Sequence, residues 1–104
     1  MVNSLVRVGN SRDFPLGSLT RVTVGDQQVL VVNAEGRLYA VSNRCTHRGG
    51  PLSDGELEGN VLCCPWHGGQ FDIRTGVVLS PPPMKGVDVF EVQIKGSDVF
   101  LRKT

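Results

Sequence analysis

The sequence is poor in cysteine, histidine and aromatic residues, and neither sign of charge dominates it. Its 104 residues include 3 Cys, 2 His, 1 Trp, 1 Tyr and 4 Phe. Lys and Arg number 11 against 10 Asp and Glu, which gives a formal net charge of +1. Such a balance lacks the broad positive field of nucleic-acid-binding proteins. Three cysteines also argue against the disulfide framework of a small secreted domain.

Long hydrophobic runs are absent as well. No stretch approaches the ~20 apolar residues that span a bilayer. Residues 1–5 lack the basic and apolar regions of a secretory signal peptide, so a cytoplasmic location is expected. The length predicts a single domain, 1–104, that buries roughly 65% of its unfolded surface.

The pattern of apolar side chains is that of an all-β protein. Alternating Phe90, Val92 and Ile94 predict the inward face of a late strand. No segment longer than a turn or two has the period of a helix. Before the middle of the chain, runs of β-branched and apolar side chains between glycine-containing turns predict strands over residues 5–8, 19–24, 28–33 and 38–41.

Two short segments concentrate the metal-binding side chains. They are Cys45-Thr46-His47 and Cys64-Pro65-Trp66-His67, and a pair of glycines follows closely after each. Together they hold both histidines and two of the three cysteines of the chain. Two Cys and two His complete a four-ligand set for zinc or iron, and the ligand types alone leave both metals open. Zinc fingers usually pair Cys with Cys and His with His, whereas here each loop contributes one of each.

These loops resemble those of the Rieske-type iron-sulfur proteins, and among them the small soluble ferredoxins of low potential. The matching stretches read R-C-T-H-R-G-G-P-L at 44–52 and C-C-P-W-H-G-G-Q-F-D at 63–72. The resemblance implies an all-β Rieske domain, in which an antiparallel β-sandwich base carries a small cluster-binding subdomain inserted at about 43–83. It also implies one [2Fe-2S] cluster. In the family, cysteines hold the inner iron and histidines the outer iron, which transfers here to Cys45 and Cys64, and to His47 and His67.

The same resemblance implies a one-electron carrier and not a complete enzyme. A flavin-dependent reductase is the expected donor, the terminal oxygenase of a ring-hydroxylating dioxygenase system is the expected acceptor, and the isolated chain is expected to be a monomer. The sequence has no second His and carboxylate set for a mononuclear iron and no glycine-rich nucleotide motif. Two alternatives stay open. One is an accessory subunit of a nitrite-reductase-like complex, many of which lack the ligands; the other is a zinc-stabilised interaction module.

Several neighbours of the loops have plainer roles. Strand alternation turns Cys63 away from Cys64, which favours a small buried side chain over a further ligand. Trp66 is expected to shield the cluster from water, with electron exit or partner contact as the alternative. Because the family places a proline loop against the cluster, the prolines at 81–83 are expected to cover it, with a plain strand terminator as the alternative. A solvated edge, or else a docking patch for a basic partner, is expected of three acidic residues, Asp54, Glu56 and Glu58.

The resemblance also bears on the reduction potential. High-potential members carry a disulfide between the loops, and a Ser and a Tyr after the second His. At the matching positions this chain has Gly50 and Trp66, then Gly69 and Phe71. Hydroxyls that donate to cluster sulfur stabilise the reduced state, so a low potential is expected. Because imidazole ligands can lose a proton, the potential is also expected to depend on pH.

Overall fold

The computed structural model describes residues 4–46, 49–66, 68–81, 83 and 85–103. Within these ranges the chain forms ten strands and two 3₁₀ turns, Ser11–Asp13 and Leu52–Asp54. None of the described helical segments is long and apolar enough to cross a membrane. The strands are β1 (Val6–Asn10), β2 (Leu19–Val24), β3 (Gln27–Ala34), β4 (Arg37–Ser42), β5 (Glu56–Glu58), β6 (Val61–Cys63), β7 (Gln70–Asp72), β8 (Val78–Ser80), β9 (Val89–Lys95) and β10 (Asp98–Lys103).

Six strands form one antiparallel sheet in the order β1-β10-β9-β4-β3-β2. The two edge strands, β1 and β2, contact each other, so the sheet curls over on itself. This curled sheet is the base of the molecule, and it confirms the predicted all-β class. Its interior is a core of seven buried side chains, Phe14, Val29, Val31, Ala40, Phe90, Val99 and Leu101.

Strand β3 contains the uninterrupted apolar run Val29-Leu30-Val31-Val32, and its position between two cores explains this run. Successive side chains of a strand point to opposite faces of its sheet. Val29 and Val31 therefore enter the base core, while Leu30 and Val32 enter a second core. All four are fully buried. The run is continuous because both faces of β3 are covered.

The second core lies beneath a small sheet of four strands in the order β5-β6-β7-β8. Each of these strands has three residues, and the second predicted metal loop lies between two of them, β6 and β7. Leu52, Leu62 and Phe71 are fully buried here, in the same core as Cys45 and Cys64. Cys45 and Cys64 thus lie in a core that also contains side chains of β3 and β4.

The predicted inward face of β9 is wrong at its far end. Phe90 is buried and Val92 packs against the base core, but Ile94 is 52% exposed. The reason lies in the pairing of β9, because β4 accompanies it only at Val89 and Phe90. Beyond that point β9 pairs with β10 alone among the described strands, so Ile94 has no paired neighbour on its other side, although its partner Val99 on β10 is buried.

Candidate metal centre

The first ligand loop follows β4 and is closed by its own backbone. The Cys45 N–H donates to the Gly50 carbonyl at 2.8 Å, and the Gly49 N–H donates to the Cys45 carbonyl at 2.8 Å. Arg44 and Pro51 pair just outside this bond in an antiparallel bridge. Gly49 has a φ of +73°, a conformation that glycine adopts without strain. The result is a tight loop in which Cys45 is only 3% exposed.

The second loop, between β6 and β7, is built in the same way. The Cys64 N–H donates to the Gly69 carbonyl at 2.7 Å, and Cys63 and Gln70 pair just outside. Cys64 is also 3% exposed. In addition, the Trp66 backbone N–H lies 3.4 Å from the Cys64 sulfur and donates to it. Each loop therefore presents one buried cysteine from a similarly closed turn.

The two cysteines lie in the second core and are not joined in a disulfide. Burial raises the pKa of the Cys64 thiol, the Trp66 N–H opposes this rise, and the neighbouring Cys45 adds to it. A pair of buried thiolates without a cation would be costly, since burial disfavours charge and like charges repel. A metal ion removes that cost and releases protons as it binds. The chemistry of this donor pair therefore fits thiolate ligation of iron or zinc.

The other two predicted ligands, His47 and His67, lie outside the described residues. Their described chain neighbours Thr46, Trp66 and Gly68 are exposed, in contrast to the two cysteines. Within the described ranges, no group of three or more Cys, His, Asp or Glu could hold a metal ion. Cys45 and Cys64 are thus the described half of the predicted ligand set.

Cys63 occupies a different environment from Cys64. A small buried side chain is expected here, and Cys63 is half-buried. Its sulfur accepts a long bond from the Gln70 side-chain amide at 3.5 Å. It also lines an open cavity of about 330 Å³ together with Asp54, Glu56 and Cys64. The alternation of β6 therefore separates the two adjacent cysteines, as predicted, but leaves Cys63 near solvent.

Cys63→Ser should leave the visible spectrum of the protein in place. A serine hydroxyl can accept the same bond from Gln70, and the Cys45–Cys64 pair is not altered. The measurement is the absorption spectrum together with iron content per chain. Cys64→Ser is the matched variant on the neighbouring residue and should lose the iron. Iron loss from Cys63→Ser would show that the wrong cysteine of the pair has been assigned.

A third loop, after β8, is tied to the first metal loop. The Thr46 hydroxyl donates to the backbone carbonyl of Lys85. Pro83 is buried and Pro81 is exposed, while Pro82 lies outside the described residues. Sequence reasoning missed the Thr46 contact, because nothing local links two residues 39 positions apart. The bond supports a covering role for this loop, which stays a prediction.

The acidic residues Asp54, Glu56 and Glu58 are all exposed, which agrees with a solvated edge. Glu56 and Glu58 belong to β5, an edge strand of the small sheet.

A further carboxylate, Asp72 at the end of β7, accepts bonds from the Arg74 guanidinium at 2.9 Å and from the Arg74 backbone N–H at 2.9 Å.

These bonds from Arg74 hold the pKa of Asp72 below its ordinary value. A carboxyl whose pKa is lowered by folding adds stability above its unfolded pKa. That contribution is lost as the pH falls through the lower, folded pKa. Acid should therefore weaken the turn between β7 and β8.

Known proteins with this architecture identify the family. A family model described as the Rieske [2Fe-2S] domain matches residues 4–91. The ferredoxin component of the naphthalene 1,2-dioxygenase/salicylate 5-hydroxylase systems of Ralstonia sp is 38% identical over 90 residues, which cover 86% of each chain. The ferredoxin of carbazole 1,9a-dioxygenase from Nocardioides aromaticivorans IC177 has a TM-score of 0.92 at 29% identity, covering 97% of this chain and 99% of that one. A chain in a complex of reduced oxygenase and oxidized ferredoxin in carbazole 1,9a-dioxygenase has a TM-score of 0.91 at 34% identity, covering 99% of this chain and 98% of that one.

These similarities resolve the choice between zinc and a cluster that the ligand types leave open. One relative is named as the ferredoxin component of dioxygenase and hydroxylase systems, and another as the ferredoxin of a dioxygenase. The pair of buried cysteines, Cys45 and Cys64, supplies sulfur donors of the kind that an iron-sulfur cluster requires. The chain therefore belongs to the Rieske [2Fe-2S] domain family, and its cofactor is a Rieske-type [2Fe-2S] cluster.

Proposed function

We propose that this chain carries single electrons from a flavin-dependent reductase to the terminal oxygenase of a ring-hydroxylating dioxygenase system. The observation that carries the proposal is the buried pair Cys45 and Cys64 on two loops of like construction. The ferredoxin components among the relatives, one of them in a complex with an oxygenase, support the acceptor. The donor rests on the resemblance of the loops alone. We expect the protein to work as a soluble monomer in the cytoplasm.

In this proposal Cys45, His47, Cys64 and His67 hold the cluster, the cysteines at the inner iron and the histidines at the outer iron. When bound, a Rieske cluster accepts and releases one electron. The Trp66 N–H stabilises negative charge on the Cys64 sulfur. Buried apolar side chains of the second core keep water from the cysteines. The cluster-binding subdomain would extend over about residues 43–83, a stretch that contains both loops and the small sheet.

Electron transfer through the chain can be followed by its colour. The purified protein should contain iron and acid-labile sulfide in equal amounts and should bleach when a flavoprotein ferredoxin reductase and NADH are added. Addition of the oxidised terminal oxygenase should restore the absorption. Suitable partners are the flavoprotein reductase and terminal oxygenase of a ring-hydroxylating dioxygenase system, of the kind to which the similar ferredoxin components belong. Failure of the reduced protein to reduce any such oxygenase would contradict the proposed acceptor.

The reduction potential should lie near the lower end of the range for Rieske centres, roughly −150 to +300 mV. Phe71 is fully buried in the core that holds both cysteines, and its ring offers no hydroxyl to cluster sulfur. Gly69 contributes a carbonyl, which accepts the Cys64 N–H. Voltammetry at neutral pH measures the potential. A value well above zero would be unsuited to reduction by a flavoprotein and would contradict the proposal.

Gly69→Ser combined with Phe71→Tyr should raise this potential by tens of millivolts, where each ~59 mV is tenfold in the one-electron equilibrium. The new hydroxyls would donate to cluster sulfur and stabilise the more negative, reduced state. Phe100→Tyr is the matched control, since it adds the same hydroxyl on β10 of the base sheet. An equal rise in the control would mean that the effect is not local.

A further inference from the structure

Trp66 connects the two ligand loops through its side chain. It is the single tryptophan of the chain, lies on the second loop and is 46% exposed. A Cβ placed on Gly50 of the first loop would lie 2.8 Å from Cδ2, 3.0 Å from Cε3 and 3.0 Å from Cγ of its indole. Three ring atoms at nearly equal distance mean that the face of the indole rests on the backbone of Gly50.

The backbone of Trp66 contacts the other side of the same centre. Its N–H donates to the Cys64 sulfur at 3.4 Å. On the first loop, the carbonyl of Gly50 accepts the Cys45 N–H at 2.8 Å. One continuous path of contacts therefore runs from the Cys64 sulfur through Trp66 and Gly50 to Cys45.

We propose that Trp66 is a positioning residue of the electron-transfer centre: its indole, resting on Gly50, fixes the direction of its own backbone N–H towards the Cys64 sulfur. The proposal rests on the function proposed above, because it concerns a sulfur that binds the cluster. A hydrogen bond weakens steeply as its angle departs from linearity, so the anchoring of the ring determines how well this bond is made. An N–H directed at a thiolate stabilises negative charge and thus favours the reduced state.

Gly50 offers a way to disturb this contact without changing the tryptophan. A methyl group on Gly50 would lie at 2.8 to 3.0 Å from the ring, so the ring must move. The indole is half-exposed and can move outwards. Gly50→Ala should therefore have the same consequence for the Cys64 sulfur as removal of the ring itself.

The test is the reduction potential of the holoprotein in four variants of Trp66 and Gly50 and in one control variant. Trp66→Ala and Gly50→Ala should each lower the equilibrium constant for reduction at least threefold, about 30 mV at ~59 mV per decade. Trp66→Phe should retain most of the wild-type value, because a phenyl ring can still cover Gly50. The double variant Gly50→Ala/Trp66→Ala should be no lower than either single variant. Ile94→Ala, which truncates a side chain of similar exposure (52%) on β9, should leave the potential unchanged.

Tryptophan emission of the same samples reports the contact directly, since no other tryptophan contributes. Gly50→Ala should shift the emission maximum to longer wavelength as the ring moves into water. Should Gly50→Ala fail to fold, the comparison of Trp66→Ala with Trp66→Phe decides the matter. Equal potentials in wild type, Trp66→Ala and Gly50→Ala would overturn the positioning role and leave Trp66 as a lid. A further drop in the double variant would also overturn it, because Gly50 would then act without the ring.

These outcomes are separate from a failure of the proposed function. If wild-type protein contained no iron and sulfide, the electron-carrier proposal would fail, while the emission shift would still report the Trp66 contact. If the cluster spectrum were intact and the potentials were equal, the carrier proposal would stand without a positioning role for Trp66.

Discussion

Replacing His47 or His67 by alanine should abolish the visible spectrum of the cluster. Each variant removes one of the two histidines that bind the outer iron in this assignment, and an iron with an incomplete ligand set is readily lost. The measurement is visible absorption together with iron and sulfide content. Far-ultraviolet circular dichroism should retain its β signal, because neither substituted position belongs to a strand of the base sheet.

Cys63→Ser is the matched control for the histidine variants. It replaces a cysteine next to the second loop but leaves all four assigned cluster ligands unchanged. It should keep the spectrum that His67→Ala loses. An unchanged spectrum in either histidine variant would contradict the ligand assignment. Such a result would require another donor for the outer iron.

Gly55→Ala should weaken the metal centre through the backbone. A Cβ on Gly55 would lie 2.0 Å from the carbonyl oxygen of Cys63 and 3.1 Å from that of Leu52. The first of these distances is impossible, so β5 and β6 must separate, and Cys63 directly precedes Cys64. Overpacking typically costs about 1–3 kcal/mol and occasionally more. We expect a lower midpoint of chemical unfolding and a large loss of iron per chain.

Gly59→Ala in the same hairpin provides the comparison for Gly55→Ala. Its Cβ would meet nothing within 4 Å, but its φ of +61° lies in the left-handed region. That conformation costs a non-glycine residue roughly 1–2 kcal/mol. Gly59→Ala should therefore lose some stability and keep its iron. Equal iron loss from both variants would show that the contact with the Cys63 carbonyl is not what matters.

Much of this architecture could be predicted from local sequence patterns. The hairpins β2–β3 and β9–β10 follow from β-branched runs that flank glycine-containing turns. The meeting of Cys45 and Cys64 follows from ligand chemistry, because two half-sets of ligands are useful only together. These features depend on residues close in sequence or on a shared metal.

Other features depend on which strands become neighbours in the sheet. The alternation of apolar and polar residues along one strand does not predict those neighbours. Ile94 has the pattern of an inward residue and is exposed where β9 is no longer paired with β4, since their pairing stops at Phe90. The contact of Trp66 with Gly50 joins two loops whose distance is set by the folded sheets. The glycine at position 50 is compatible with a close approach of another side chain, but the sequence does not show that this side chain is Trp66.

The double burial of β3 has a consequence for cooperativity. One strand supplies side chains to both the base core and the core beneath the metal loops. If the small sheet detached, Leu30 and Val32 would be exposed to water in the middle of an otherwise intact base. Such partial opening is penalised by the apolar surface that it uncovers. The metal-binding half and the base should therefore behave as one folding unit, so that retention of the cluster is a property of the whole chain.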